Sequence, residues 1–285
     1  MVGCAGGRIR AAEARDIEPA IDHLCRAFPR PRRHQWYPLF QRHWPVPPNS
    51  PVGYLLEARS RIVGFVATVY ATRELADKKL TTCNLSAWCV DPEHRAMGGA
   101  LFMAAMCQNP QVLTALTPSP PVQNVCEALG FRRIAGYQLV FPLLLQARTL
   151  LREGVVLTRS KDLDRVLNQK HQRIRADHHH CALNHYVVAT NSGYSYVITR
   201  RFRSRGMPFS ELLYCSNPEV LTQQLEKFKL AVLARERSVS VFSLPTFVSP
   251  HPKAALRIPK VRYYRSAQVS STEIDLLYSE LAVLP

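Results

Sequence analysis

A chain of 285 residues has room for one large domain or two of ordinary size, and its 47% hydrophobic content supplies a packed core, which excludes a disordered chain. It carries 37 Lys and Arg against 21 Asp and Glu, a formal net charge of +16 spread over both halves, so a basic tail is excluded too. No apolar run reaches the ~18 to 20 residues of a membrane-spanning helix, and Met1–Arg15 has no apolar signal segment, so a cytoplasmic protein without a membrane span is expected.

In chain order, Arg8–Ala11 reads as a short strand, and Asp16 precedes Ile17, Ala20, Ile21, Leu24 and Phe28 at helical spacing as their expected N-cap. Pro29–Pro51 is proline-rich and carries Trp36, Tyr37, Phe40 and Trp44, which predicts loops that either wall an acceptor pocket or cover a sheet. Tyr54–Ala58 and Ile62–Thr72 read as a hairpin turning at Arg59-Ser60-Arg61, and Asn84–Val90 as a third strand ending at Asp91-Pro92-Glu93. Gly98–Cys107 is helical, Val112–Leu116 a buried strand, and Val122–Leu129 a helix stopped by Gly130. The order β-α-β-β-β-α-β-α implies an α/β protein with a mixed sheet and helices on its faces.

The second half repeats this plan. Val155–Leu157 reads as a strand, Asp162–Lys170 as a helix, and Tyr186–Thr190 with Tyr194–Phe202 as a hairpin around Asn191-Ser192-Gly193. Phe209–Cys215, Pro218–Arg235 and Ser238–Leu244 then read as strand, helix and strand. The hairpins superpose at an offset of 132, and Cys89-Val90-Asp91-Pro92-Glu93 matches Cys215-Ser216-Asn217-Pro218-Glu219 at an offset of 126. The expectation is two copies of one α/β unit, residues 1–148 and 149–285, joined near Gln146 to Glu153. The alternative is two unrelated halves that share Pro-Glu by chance.

Chemistry concentrates after the third strand, in Val90-Asp91-Pro92-Glu93-His94-Arg95-Ala96-Met97-Gly98-Gly99-Ala100-Leu101. A strand that opens into small residues and then a helix aims backbone N–H groups at one spot, which suits a pyrophosphate, and Arg95 adds a charge. Neither a Walker A pattern nor a three-glycine dinucleotide fingerprint is present.

Arg95-x-x-Gly98-x-Ala100, preceded by Val90-x-Pro92-Glu93 and followed by Leu129-Gly130-Phe131, resembles the acyl-CoA loop of the GCN5-related N-acetyltransferases over roughly residues 8–145. The resemblance implies two units, each a twisted mixed sheet flanked by helices. It also implies acetyl-CoA or another acyl-CoA as co-substrate, held by Cys89, Val90, Arg95, Ala96, Met97, Gly98, Gly99, Ala100 and, near the CoA arm, Ser119. It implies transfer of the acyl group to an amine or a hydroxyl of an unidentified small-molecule or polymer acceptor by direct attack, with a general base and a proton source. Here the strand Asn84–Cys89 has no carboxylate for a base, and Cys126 stands where the family often has its acid Tyr, either as that acid or as packing. In the second copy Leu221, Gln224 and Glu226 replace Arg95, Gly98 and Ala100, so that copy is expected to be degenerate, to bind no CoA and to complete the acceptor cleft. A chain that keeps acyl-CoA binding but serves as a sensor or scaffold is the alternative.

Eight cysteines without a Cys-x-x-Cys predict reduced thiols. Asp177-His178-His179-His180-Cys181 reads as a polar linker rather than a metal site, because adjacent side chains diverge. The net charge, with Arg200-Arg201-Phe202-Arg203-Ser204-Arg205, leaves sequence-independent nucleic-acid binding as a third reading beside solvated basic faces. The acceptor, the acyl length and the oligomeric state are not encoded in any of these motifs.

Overall fold

The computed structural model describes residues 7–75, 77–142, 153–252 and 255–285; the expected joint near Gln146 lies outside them, as does Cys4. The chain runs β1 (Arg8–Ala11), α1 (Ile17–Ala27), α2 (Arg33–Trp36), β2 (Gly53–Ala58), β3 (Arg61–Leu75), β4 (Lys78–Val90), α3 (Gly98–Met106), β5 (Val112–Ala115), α4 (Pro120–Ala128) and β6 (Arg132–Pro142). It continues through β7 (Val155–Leu157), α5 (Ser160–Val166), α6 (Gln169–Asp177), β8 (Leu183–Thr190), β9 (Gly193–Ser204) and β10 (Met207–Cys215). After these come α7 (Pro218–Gln223), α8 (Leu225–Glu236), β11 (Ser240–Ser243), β12 (Leu256–Arg265) and α9 (Glu280–Val283).

The described residues divide into two compact units. The first holds those up to Ile134 with Val261–Ile274 and Tyr278–Leu284; the second holds those from Ala135 to Lys260 with Asp275–Leu277 and Pro285.

In the first unit the strand order is β1-β2-β3-β4-β5-β12, antiparallel except for the parallel pair β4/β5. The β2–β3 turn is the two-residue type expected of a tight hairpin: Arg59 and Ser60 both take left-handed φ, 50° and 59°. Alternation along the strands sends Leu56, Val66, Tyr70, Cys83 and Leu85 to one face, where Leu101, Phe102 and Ala105 of α3 and Cys126 of α4 close the core. The opposite face carries α1, with Ala20, Ile21 and Leu24 fully buried, and the stacked pair Phe40 and Phe65. Asp16 precedes α1 but does not cap it. Its carboxylate instead takes Arg10 Nη1 at 2.5 Å and the Glu13 N–H at 2.8 Å, and Arg10 Nε reaches Glu57 at 2.8 Å, so one guanidinium holds both carboxyls below their usual range.

In the second unit the order is β7-β8-β9-β10-β11-β6, again antiparallel except for one parallel pair, β10/β11. Each unit therefore takes its sixth strand from the other half of the sequence. The expected helix over Asp162–Lys170 is two helices, because Asn168 Oδ1 accepts the His171 N–H at 2.9 Å and caps a new start; the expected helix over Pro218–Arg235 likewise breaks at Gln224. Glu236 of α8 is 3% exposed and satisfied by three hydroxyls, Tyr186 at 2.5 Å, Thr199 at 2.6 Å and Ser210 at 2.6 Å.

The units share further detail. β4 carries a bulge at Ala87, φ 50°, where two residues oppose one on β3, and β10 carries one at Leu213, 126 positions later. A proline-led helical turn follows each strand, Pro92–Met97 and Pro218–Gln223, before the longer helix begins.

Candidate functional site

β4 and β5 pair only from Thr82 to Asn84 and from Val112 to Thr114. Beyond this β4 runs on to Val90 while β5 ends at Ala115, so the pairing of the two parallel strands stops at their carboxyl ends, the place where open α/β sheets receive ligands. The bulge at Ala87 lies in the stretch of β4 beyond its pairing with β5 and interrupts its ladder with β3.

The expected acyl-CoA residues cluster at the end of β4 and the start of α3. Cys89 and Val90 close the strand, and burial pushes the Cys89 thiol up to about 12, which keeps it neutral near pH 7. Arg95 and Ala96 are exposed in the 3-10 turn, with Met97 half-buried behind them. Gly98 is buried: a Cβ there would stand 3.4 Å from Trp88 Cζ2 and 3.6 Å from Val90 Cγ2, whereas a Cβ on Gly99 would meet nothing within 4 Å. Gly98 thus lies along the seam of α3 against β4, where an added Cβ would make ordinary van der Waals contact, and Gly99, with Ala100, leaves the first turn of α3 bare toward solvent.

Ser119 occupies the N-cap position of α4, exposed, with no side-chain cap bond. Cys126 has no exposed surface; it lies among Phe102, Phe131 and Tyr263, and burial pushes its thiol up to about 11. Enclosed in this way, the thiol is neutral near pH 7 and packs within the apolar cluster. The Tyr263 hydroxyl beside it donates to Glu127 Oε1 at 2.7 Å.

Two groups escaped the sequence. His23, 1% exposed on α1, places Nδ1 3.6 Å from Asp91 Oδ1 at the end of β4, and Arg61 Nη2 lies 3.5 Å from Asp91 Oδ2. Burial lowers the His23 pKa against the pull of Asp91. A histidine inside an apolar helical stripe carries no local sign of a partner 68 positions away. The second group is at the point where the strands part: the Asn84 side-chain amide donates to Thr114 Oγ1 at 3.2 Å, the Glu280 N–H donates to Asn84 Oδ1 at 3.1 Å, and Thr117 Oγ1 donates to Glu280 Oε1 at 2.9 Å.

Of the loop aromatics, Trp36, Phe40 and Trp44 are buried, with Trp44 Nε1 donating to Tyr70 O at 2.8 Å, and Tyr37 donates to Glu18 at 2.7 Å. They cover the sheet. His178 is fully buried and donates from Nδ1 to Ile174 O at 2.8 Å, so the expected polar linker at 177–181 is anchored at that residue. Arg201, Arg203 and Arg205 are exposed, but Phe202 packs on Phe209 and Phe242 at 5.6 and 5.5 Å instead of offering a stacking face. A groove of about 780 Å³, lined by Met103, Met106, Gln111, Arg265 and Gln268, lies at the amino end of β5, away from the turn that follows β4. The seven described cysteines are free thiols, and no helix among the described residues is long and apolar enough to cross a membrane.

In the second unit, Gln224 stands 126 positions after Gly98 at the break between α7 and α8. Gln224 Nε2 donates to Glu153 O at 2.6 Å, Lys227 Nζ donates to Gly154 O at 2.7 Å, and Glu226 pairs with Lys229 at 2.9 Å.

No protein-family model matches the chain, and no curated protein matches its sequence. Solved structures do. A GCN5-related N-acetyltransferase from Anabaena variabilis is similar at a TM-score of 0.58 and 14% identity, covering 91% of this chain and 72% of that one. Another from Kribbella flavida is similar at 0.55 and 12%, covering 92% and 71%, and Eis1 from Mycobacterium abscessus at 0.51 and 13%, covering 92% and 73%. At such identities the likeness concerns backbone architecture, and on that ground the chain has the fold of the GCN5-related N-acetyltransferases.

Proposed function

We propose that the first unit binds acetyl-CoA or another acyl-CoA and transfers its acyl group to an amine or hydroxyl acceptor by direct attack. The observation that carries this is the parting of β4 from β5 beyond Asn84, beside a bulged β4 that leads into the bare first turn at Gly99 and Ala100. A pantetheine arm lying between parting strands would bring its thioester to the bulge, while the pyrophosphate meets the N-terminal N–H groups of α3 and the Arg95 guanidinium. Positioning of this kind contributes to the rate by holding nucleophile and thioester together. The second unit is, in this reading, a copy of the same design whose turn is closed by Gln224 and Lys227, so the chain holds one acyl-CoA.

The test is CoA thiol release from acetyl-CoA over a panel of amines and amino sugars. Release that depends on one class of acceptor is expected. Saturable acetyl-CoA binding without release across the panel would support a sensor or scaffold instead, and neither binding nor release would overturn the proposal.

A further inference from the structure

We propose that Thr117 and Glu280 form the proton relay that serves the acceptor, an inference that rests on the acyl-transfer reading above. β4 offers no carboxylate along its parting stretch, Leu85-Ser86-Ala87-Trp88-Cys89. The C-terminal segment brings one. Glu280, 3% exposed, hangs by its backbone N–H on Asn84, the last β4 residue paired with β5, while its carboxylate accepts from Thr117, two residues past the end of β5. The two bonds span the point at which the strands separate.

The face is also the one a nucleophile needs. Cys83, Leu85, Leu113 and Ala115 point to α3 and α4, so Asn84 and Thr114 point to the opposite side, and Glu280 is bonded there. In this reading acyl-CoA is held at the first turn of α3, and the acceptor approaches beside Thr117, which is exposed. Glu280 is kept in place by its neighbour Tyr278, whose ring meets Trp44 edge-on at 5.0 Å and lies under Arg73 at 4.4 Å. A buried carboxylate is costly unless polar groups hold it. Here one of them is the hydroxyl of Thr117, an exposed residue, whose proton is directed to the carboxylate.

An acceptor ammonium gives one proton to Thr117 Oγ1 as the Thr117 proton passes to Glu280, leaving a free amine. The amine nitrogen bonds to the thioester carbon, the C–S bond breaks with its electron pair on sulfur, and the second nitrogen proton goes to the CoA thiolate. Glu280 then returns its proton to water through Thr117. Products are the amide, CoA and one released proton.

Thr117→Val tests this, with a thermal melt alongside because the Glu280 carboxylate loses a partner, and Thr117→Ser is the conservative control. Expected is a fall in kcat of about 10²-fold or more for Thr117→Val and for Glu280→Gln. KM for acetyl-CoA should be unchanged, the acid limb of the kcat profile should be lost in Glu280→Gln, and Thr117→Ser should recover most of the rate. Thr117→Val with kcat within threefold of the wild type and an unaltered acid limb would overturn the relay, whether or not Glu280→Gln folds. A wild-type chain that releases no CoA thiol would fail the acyl-transfer reading itself, and the relay with it.

Discussion

Gly98 lies against the indole of Trp88, where an added Cβ would make an ordinary contact at 3.4 Å from Cζ2, while its neighbour Gly99 looks into open space. The two glycines of one turn therefore have different surroundings, one the seam between helix and strand, the other whatever approaches the helix N-terminus.

Substitution separates them. Gly99→Asp adds a carboxylate in the first turn of α3, where the helix dipole favours it, so folding should be retained. Beside a pyrophosphate the same charge is repulsive by at least about 1 kcal/mol even in water and several at lower effective dielectric, so acetyl-CoA affinity should fall tenfold or more. Gly98→Asp would place its carboxylate against Trp88 and Val90 and should lower the melting temperature as well. Calorimetric affinity and thermal melts of both variants check this; unchanged affinity in folded Gly99→Asp would remove the turn from the binding site.

Cys126→Ala removes a sulfur from a closed apolar cluster. A loss of about 1 to 2 kcal/mol in stability is expected, with turnover of the folded protein within tenfold of the wild type at every pH. A larger loss of turnover at unchanged acetyl-CoA affinity would restore Cys126 as the acid.

Acid should weaken the second unit. Burial lowers His171, bonded through Nδ1 to the Tyr194 hydroxyl at 2.8 Å, from 6.5 to about 4, and lowers His185 to about 3. A histidine with a depressed folded pKa contributes stability that is complete above its unfolded pKa. That stability is lost as pH falls from about 6.5 toward the folded value, because the unfolded chain binds the proton first. For His171 the loss at pH 5 is about 2 kcal/mol. Urea midpoints at pH 8 and pH 5 should therefore converge in His171→Phe relative to the wild type; equal acid sensitivity of the two proteins would contradict the assignment.

What the sequence disclosed was whatever rests on local pattern. The hairpin at Arg59-Ser60, the strand ending at Val90, α3 and the stop at Gly130, φ 76°, all follow from alternation, helical spacing or turn chemistry within a dozen residues. β12 was hidden because Leu256–Arg265 interleaves Arg and Lys, contains Pro259 and is exposed along its first four residues, none of which marks a strand. The breaks at Asn168 and Gln224 depend on a cap and a side-chain bond that periodicity does not register. At the site, the small-residue turn was legible as a motif, but Glu280 was not: its partners stand 163 and 196 positions away, and nothing near it distinguishes a buried carboxylate from a solvated one.

In the proposed function one turn, after β4, receives acyl-CoA and the turn after β10 does not. Titration calorimetry of acetyl-CoA into the full chain tests it most directly. Saturable binding at one site per chain is expected, weakened tenfold or more in Gly99→Asp and untouched by Gln224→Ala. No binding, or two equivalent sites per chain, would contradict it.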